Sequence, residues 1–381
     1  MSVTYPKGFR AAGVAAGLKD SGKPDLAVVL NDGPSFDAAA VFTRNRIQAA
    51  PVLWSRQVLA DHRLRAVVLN SGGANACTGP EGFADTHHTA EAAAQILGIG
   101  PIDVAVCSTG LIGERLDMPK LLAGLENALA AADPHSGRAA AEAIMTTDTV
   151  PKESVAEAGY RIGGIAKGAG MLAPGLATML SVITTDAVID ADRLESALTQ
   201  ATATTFDRVD ADGCMSTNDT VIIMASGASG IPADDDFEAA LQSVCADLAR
   251  QLAADAEGAS KLIDITVVNA DSESDAELVA RAVARSALFK CAMFGEDPNW
   301  GRVLSAIGTT DAQFDPLRID VAINGVTVCR DSGVGDPRDL VDLTGREVKV
   351  VIDLHAGVQT ATIVTTDLTN DYVQENSAYS S

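Results

Sequence analysis

Cationic side chains are scarce in this sequence. Across 381 residues, 28 Lys and Arg stand against 51 Asp and Glu, so the formal net charge is 28 − 51 = −23. Without a cationic excess the chain has nothing with which to displace the counterions of a phosphate backbone, which argues against nucleic acid as a partner. The same acidity serves solubility. Cysteine is sparse as well. The six residues Cys77, Cys107, Cys214, Cys245, Cys291 and Cys329 lie far apart, with no CxxC and no Cys/His cluster at zinc spacing. Reduced thiols of a cytosolic protein fit this better than a disulfide framework. No apolar run approaches the roughly 18 residues of a membrane span. Ala11–Leu18, behind Lys7 and Arg10, is too short and too broken by glycine for a signal-peptide core, and it is predicted to be ordinary strand or turn. Neither a GxxxxGK[ST] loop nor a GxGxxG fingerprint occurs. The expectation is a soluble, cytoplasmic protein with no nucleic-acid or membrane partner and no metal.

What is present is apolar substance in alternating order. Apolar residues make up 47% and charged residues 21%, and the length suits two or three domains. Short β-branched runs at Leu26–Leu30, Ala66–Asn70, Val104–Cys107, Leu180–Val188, Thr220–Met224 and Leu262–Val268 predict strands. Between them lie helical periodicities: Phe237, Leu241, Val244, Leu248 and Leu252 share one face after the acidic start Asp234–Asp236. Asp192 and Glu195 read as an acidic capping box ahead of Leu194 and Leu198, and Asp117 as the cap of a helix with Pro119 in its first turn. Ile319–Ile323, Asn324-Gly325 and Val326–Cys329 predict a hairpin with a type I′ turn. Strands are expected at Val348–Leu354 and Val358–Val364. The order predicts an α/β fold (α+β layered sandwich), with a core over 1–288 and a smaller C-terminal lobe over 289–381.

The stretch that carries chemistry runs from Gly163 to Asp186, GGIAKGAGMLAPGLATMLSVITTD. Gly163, Gly164, Gly168, Gly170, Gly175 and Pro174 crowd its first part, and the sequence then turns into strand. Glycine-rich backbone reaches conformations closed to other residues, so such a loop feeding a strand is one way to hold the Thr178 hydroxyl against the Ala177 carbonyl. An N→O acyl shift and hydrolysis of the resulting ester would cut the chain there and leave Thr178 with a free α-amine. An α-amine titrates near pH ~7.7–8.0 and can act as base for the hydroxyl of its own residue. The bland reading is a loop before a strand.

Several motifs in order carry a resemblance that decides between these. KGAGMLAPGLATML with its Ala177-Thr178 junction, FTRN at Phe42–Asn45, NSGGANACTG at Asn70–Gly79, CSTGLIGE at Cys107–Glu114, MTTDT at Met145–Thr149, STNDT at Ser216–Thr220, DAEGASK at Asp255–Lys261, FGEDPNWGRV at Phe294–Val303 and the terminal NSAYSS span the chain. Together they resemble the self-cleaving ornithine acetyltransferase (glutamate N-acetyltransferase) family of arginine biosynthesis. Gly73 departs from the Asn common there. The resemblance implies an N-terminal-nucleophile-like architecture, cutting into chains 1–177 and 178–381, and association of two copies of each. It implies acetyl transfer from N2-acetylornithine to glutamate through an acetyl ester on Thr178, without a cofactor.

By the same resemblance Thr109 and Gly110 form the oxyanion hole, and Thr146, Lys167, Thr178, Glu257, Asn376 and Ser381 bind substrate. Each has a plainer alternative. Ser108-Thr109-Gly110 also reads as a strand-ending turn, Lys167 as solvated surface in a glycine loop, Glu257 as a carboxylate near a helix end, and Asn376 and Ser381 as a frayed terminus. The choice between Thr146 and Thr147 stays open. The Trp of DPNWGR is read as a packed corner and the pair His87-His88 as surface. Competing functions are a bifunctional enzyme that also takes acetyl from acetyl-CoA, an aminopeptidase-like hydrolase of the same architecture, and an uncut α/β binding protein. Transfer from acetylornithine alone is the favoured reading.

Overall fold

The computed structural model describes residues 2–173 and 179–378. Its strands, in chain order, are β1 (Phe9–Val14), β2 (Leu26–Asn31), β3 (Asp37–Phe42), β4 (Ala66–Asn70), β5 (Val104–Ser108), β6 (Lys152–Glu157), β7 (Arg161–Lys167), β8 (Leu180–Thr185), β9 (Thr220–Ala225), β10 (Leu262–Ala270), β11 (Asp320–Ile323), β12 (Val326–Arg330), β13 (Gly333–Val334), β14 (Glu347–Asp353) and β15 (Gln359–Thr366). They form three sheets, ordered β1-β2-β4-β5, β3-β9-β8-β7-β6 and β13-β12-β11-β14-β10-β15. Helices cover the sheets, which bears out the mixed α/β class. Of Ala11–Leu18, expected as strand or turn, the first four residues complete β1 and the rest is loop.

Strands β2, β4, β5, β8 and β9 are buried along their whole length, which is why they read as unbroken apolar runs rather than alternating ones. Leu26, Val28, Val67, Leu69, Val104 and Val106 belong to one apolar core with Val182 and Ile222 of the second sheet. The other face of that sheet packs on the helices Ala191–Thr204 and Phe237–Ala254, whose Leu194, Leu198, Leu241, Val244 and Leu248 are all buried. A third core lies between the last sheet and the helices Glu273–Ala284, Ala287–Phe294 and Trp300–Ile307.

Local signals in the sequence are met closely, with two differences. Asn324 and Gly325 have φ of 46° and 85°, the left-handed pair that a type I′ turn needs. Asp117 caps the helix Met118–Ala130 through Lys120 N–H, with Pro119 in its first turn. Asp192, however, is not the cap of Ala191–Thr204. Asp190 is, because it keeps an extended backbone and its carboxylate accepts from Arg193 N–H, leaving Asp192 in the first turn. Strand β8 also stops at Thr185, short of Val188, because the Asp186 carboxylate turns aside to accept from the backbone N–H groups of Arg161 and Lys7.

Candidate active site

Antiparallel β7 and β8 pair so that Lys167 lies opposite Leu180. The Ala177-Thr178 junction falls between these strands and outside the described residues, as does Ser381. The described chain resumes at Met179, which is held from both sides. Its N–H donates to Asp219 Oδ1 at 2.9 Å and its carbonyl accepts from Thr220 N–H at 3.1 Å. Asp219 is completely buried, and burial pushes its carboxyl well above the usual range despite the Met179 N–H and the nearby Lys167.

At this end of the sheet opens a cavity of about 210 Å³. Thr109, Gly110, Thr146, Lys167, Glu257 and Asn376 all line it, although they are spread over most of the chain. Thr147 lines it too. Among the described lining residues Lys167 supplies positive charge, while Asp212 and Glu257 supply carboxyls. Side chains of both charge types therefore meet at one cavity.

Each wall is built by a specific device. Thr109 and Gly110 follow β5, and Thr109 Oγ1 accepts from Lys167 Nζ at 3.3 Å. Gly110 has φ +133°, and a Cβ there would lie 2.8 Å from Gly73 N, so only glycine fits the turn. Asn218, buried, ties this turn to the loop before β9 by donating to the carbonyls of Ser108 and Ala74 at 2.8 and 2.6 Å. Glu257 follows the helix Phe237–Ala254, and its N–H donates to the Ala169 carbonyl at 3.0 Å. A Cβ on Gly170 would come within 2.7 Å of the Glu257 carboxylate oxygens, which is what the glycine there permits. Asn376 stands on the helix Asn370–Ala378 and donates to Glu257 Oε2 at 3.0 Å. That helix is anchored rather than frayed: Thr369 Oγ1 donates to the Gly258 carbonyl and accepts from Tyr372 N–H.

Lys167 is not the solvated surface lysine that its glycine-rich surroundings suggest. Its side chain is 2% exposed, because β7 enters the sheet before the chain turns, and burial pushes its ammonium down from the ordinary lysine range while Asp148 opposes the shift. Sequence reasoning singled out neither Asp148 nor Asp212, Asn218, Asp219 and Tyr372. The motifs MTTDT and STNDT contain three of these, yet nothing in their local spacing shows that Asp148 and Asp219 are buried. The DPNWGR stretch caps the helix Trp300–Ile307 through Asn299, and Trp300 packs against the third core, as expected of a corner.

A model of the ArgJ family matches residues 10–381. This chain belongs to the ArgJ family. It is 63% identical, over the full length of both, to the arginine biosynthesis bifunctional protein ArgJ of Streptomyces coelicolor, and equally so to that of Thermobifida fusca. Among solved structures it is similar to the ornithine acetyltransferase of Mycobacterium tuberculosis complexed with ornithine, at 58% identity over 96% of that chain and 47% of this one, with a TM-score of 0.45. The sequence resemblance is thereby borne out at the level of the family and of an enzyme of arginine biosynthesis.

Proposed function

We propose that this chain, like the family it belongs to, transfers an acetyl group from N2-acetylornithine to glutamate, after cutting itself between Ala177 and Thr178 into chains 1–177 and 178–381 that stay associated, two copies of each. The observation that carries the reading is the convergence of Thr109, Gly110, Thr146, Lys167, Glu257 and Asn376 on one cavity beside the strand pair that flanks the junction.

In this mechanism the Thr178 α-amine takes the proton of its own hydroxyl as the oxygen attacks the acetamide carbonyl. The oxyanion is met by Thr109 Oγ and the Gly110 N–H. Collapse breaks the C–N bond, the proton passes to the departing ornithine amine, and an acetyl ester stays on Thr178. Glutamate's amine then attacks the ester, its proton returns through the same amine to Thr178 Oγ, and N-acetylglutamate leaves. Two displacements through one intermediate give ping-pong kinetics. Lys167 pairs with the α-carboxylate of either amino acid, Thr146 and Ser381 supply further polar contacts, and Glu257, released from Asn376, meets an ammonium.

The experiment is sequencing of the purified protein from its amino ends, paired with an acetylornithine–glutamate transfer assay. A fragment beginning Thr-Met-Leu-Ser and transfer through an acetylated protein are expected. An uncut, inactive chain after days near neutral pH would sink the reading. A second donor is favoured by the word bifunctional in the names of the 63% identical relatives: acetyl-CoA, acetylating the same threonine. N-acetylglutamate formed from acetyl-CoA and glutamate with ornithine compounds absent is the expected result.

A further inference from the structure

From the cavity runs a row of alternating charged side chains, Lys167, Asp148, Lys152 and Asp255, the first three buried and Asp255 partly so. Asp148 is its hub. Its side chain is fully buried, Oδ1 accepts from Lys152 Nζ at 2.6 Å and from Gly168 N–H at 2.7 Å, and Oδ2 accepts from Thr146 N–H at 2.9 Å. Lys167 Nζ lies 4.0 Å from Oδ2. One carboxylate therefore fixes two cavity-lining segments and stands against the cavity's cation. Lys152, itself fully buried, passes on to Asp255 Oδ2 at 2.6 Å, and Asp255 receives Thr149 N–H at 3.0 Å.

We propose that Asp148 is a positioning residue that keeps Lys167 charged and aimed into the cavity, so that the site can take an amino-acid carboxylate. The inference rests on the reading of Lys167 as the carboxylate partner. A buried lysine with no counter-charge sheds its proton, and a neutral amine would hold a carboxylate poorly. Among the described residues, the charged groups that face Lys167 are Asp148, Lys152, Asp219 and Glu257, with Lys19 nearby. Lys152 and Lys19 oppose its charge, Asp219 is itself pushed toward the neutral form by burial, and Glu257 supports it less than Asp148 does. Asp148 stays ionised: burial favours its neutral form, but Lys167, Lys152 and Gly168 N–H outweigh this and bring it to about 2.

The test is kcat/KM for N2-acetylornithine from pH 6 to 10 in the full, self-processed protein. In the native protein the alkaline limb reports loss of the Lys167 proton, at a pH below the ordinary lysine value. Asp148→Asn, which keeps the size but removes the charge, moves that limb down by roughly 1–3 pH units and raises KM more than it lowers kcat. Asp148→Glu restores the limb. Asp255→Asn, which unpairs Lys152 on its far side, leaves the limb in place whatever it does to stability. Should Asp148→Asn not fold, Asp148→Asn with Lys152→Met removes both members of that pair and is expected to show an acidward limb of smaller shift, because Lys152 no longer opposes the charge of Lys167. An unmoved limb in whichever of the two Asp148→Asn proteins folds, single or double, overturns the proposal. Lys167→Met separates the two layers. If it leaves KM unchanged, the reading of Lys167 fails and the inference with it; if KM rises while the Asp148 variants keep the native limb, the inference alone fails.

Discussion

The first two sheets and the third solve opposite problems. In the first two, β2, β4, β5, β8 and β9 are buried on both faces, whereas β14 of the third alternates, with Val348, Val350 and Ile352 buried and Glu347, Lys349 and Val351 exposed. A strand covered on both sides cannot spend side chains on solvent, so its polar groups gather at its ends. There Ser108, Thr109, Lys167 and Asp219 sit, shielded from water and tied to one another's loops. The third sheet supports its own core with one face and meets solvent with the other. The candidate site borders these buried strand ends, where hydrogen bonds and charges are stronger away from water.

Four substitutions break or sharpen that contrast. Thr178→Ala removes the hydroxyl and is expected to leave the chain uncut and acetyl transfer undetectable, read by mass and assay; full activity in an uncut Thr178→Ala protein would end the mechanism. Thr109→Ala, at the buried strand end, is expected to lower kcat about 10²–10³-fold with normal cutting and a near-native melting curve. An unchanged kcat would take Thr109 out of the oxyanion role. Ile352→Ala, in the third core, is expected to cost about 2–5 kcal/mol of stability while the surviving folded fraction keeps its KM. A changed KM would mean that the third sheet tunes the cavity after all. Val351→Thr, one residue earlier and 38% exposed, is expected to shift stability by no more than about 0.5 kcal/mol; a large loss in denaturant titration would reveal a partner on that face.

Much of the architecture was legible because it is local. The helical face of Phe237 to Leu252 and the Asn324-Gly325 turn depend on neighbours within a few residues, and both appear as read. The misread cap shows the limit of that logic: Asp190 and Asp192 are equally good capping residues, and backbone conformation chose between them. The candidate site was legible mainly through several motifs in order, which carried Thr109, Gly110, Thr146, Lys167, Glu257 and Asn376 to a single cavity. Asp148 escaped notice although it lies two residues from Thr146, because its partners Lys167 and Gly168 come from a strand end nearly twenty residues on. Thr178, Ala177 and Ser381 lie outside the described residues, and their roles rest on the resemblance and the proposed chemistry.

By itself the sequence determined the strand and helix order, the acidic surface and membership of a family, since periodicity, turn chemistry and motif order are properties of the chain alone. Tertiary structure decided which lysine is buried at the cavity, which aspartate stands against it and which loops share a cavity. Charge state and convergence depend on what excludes water around a group, and segments distant along the chain supply that exclusion.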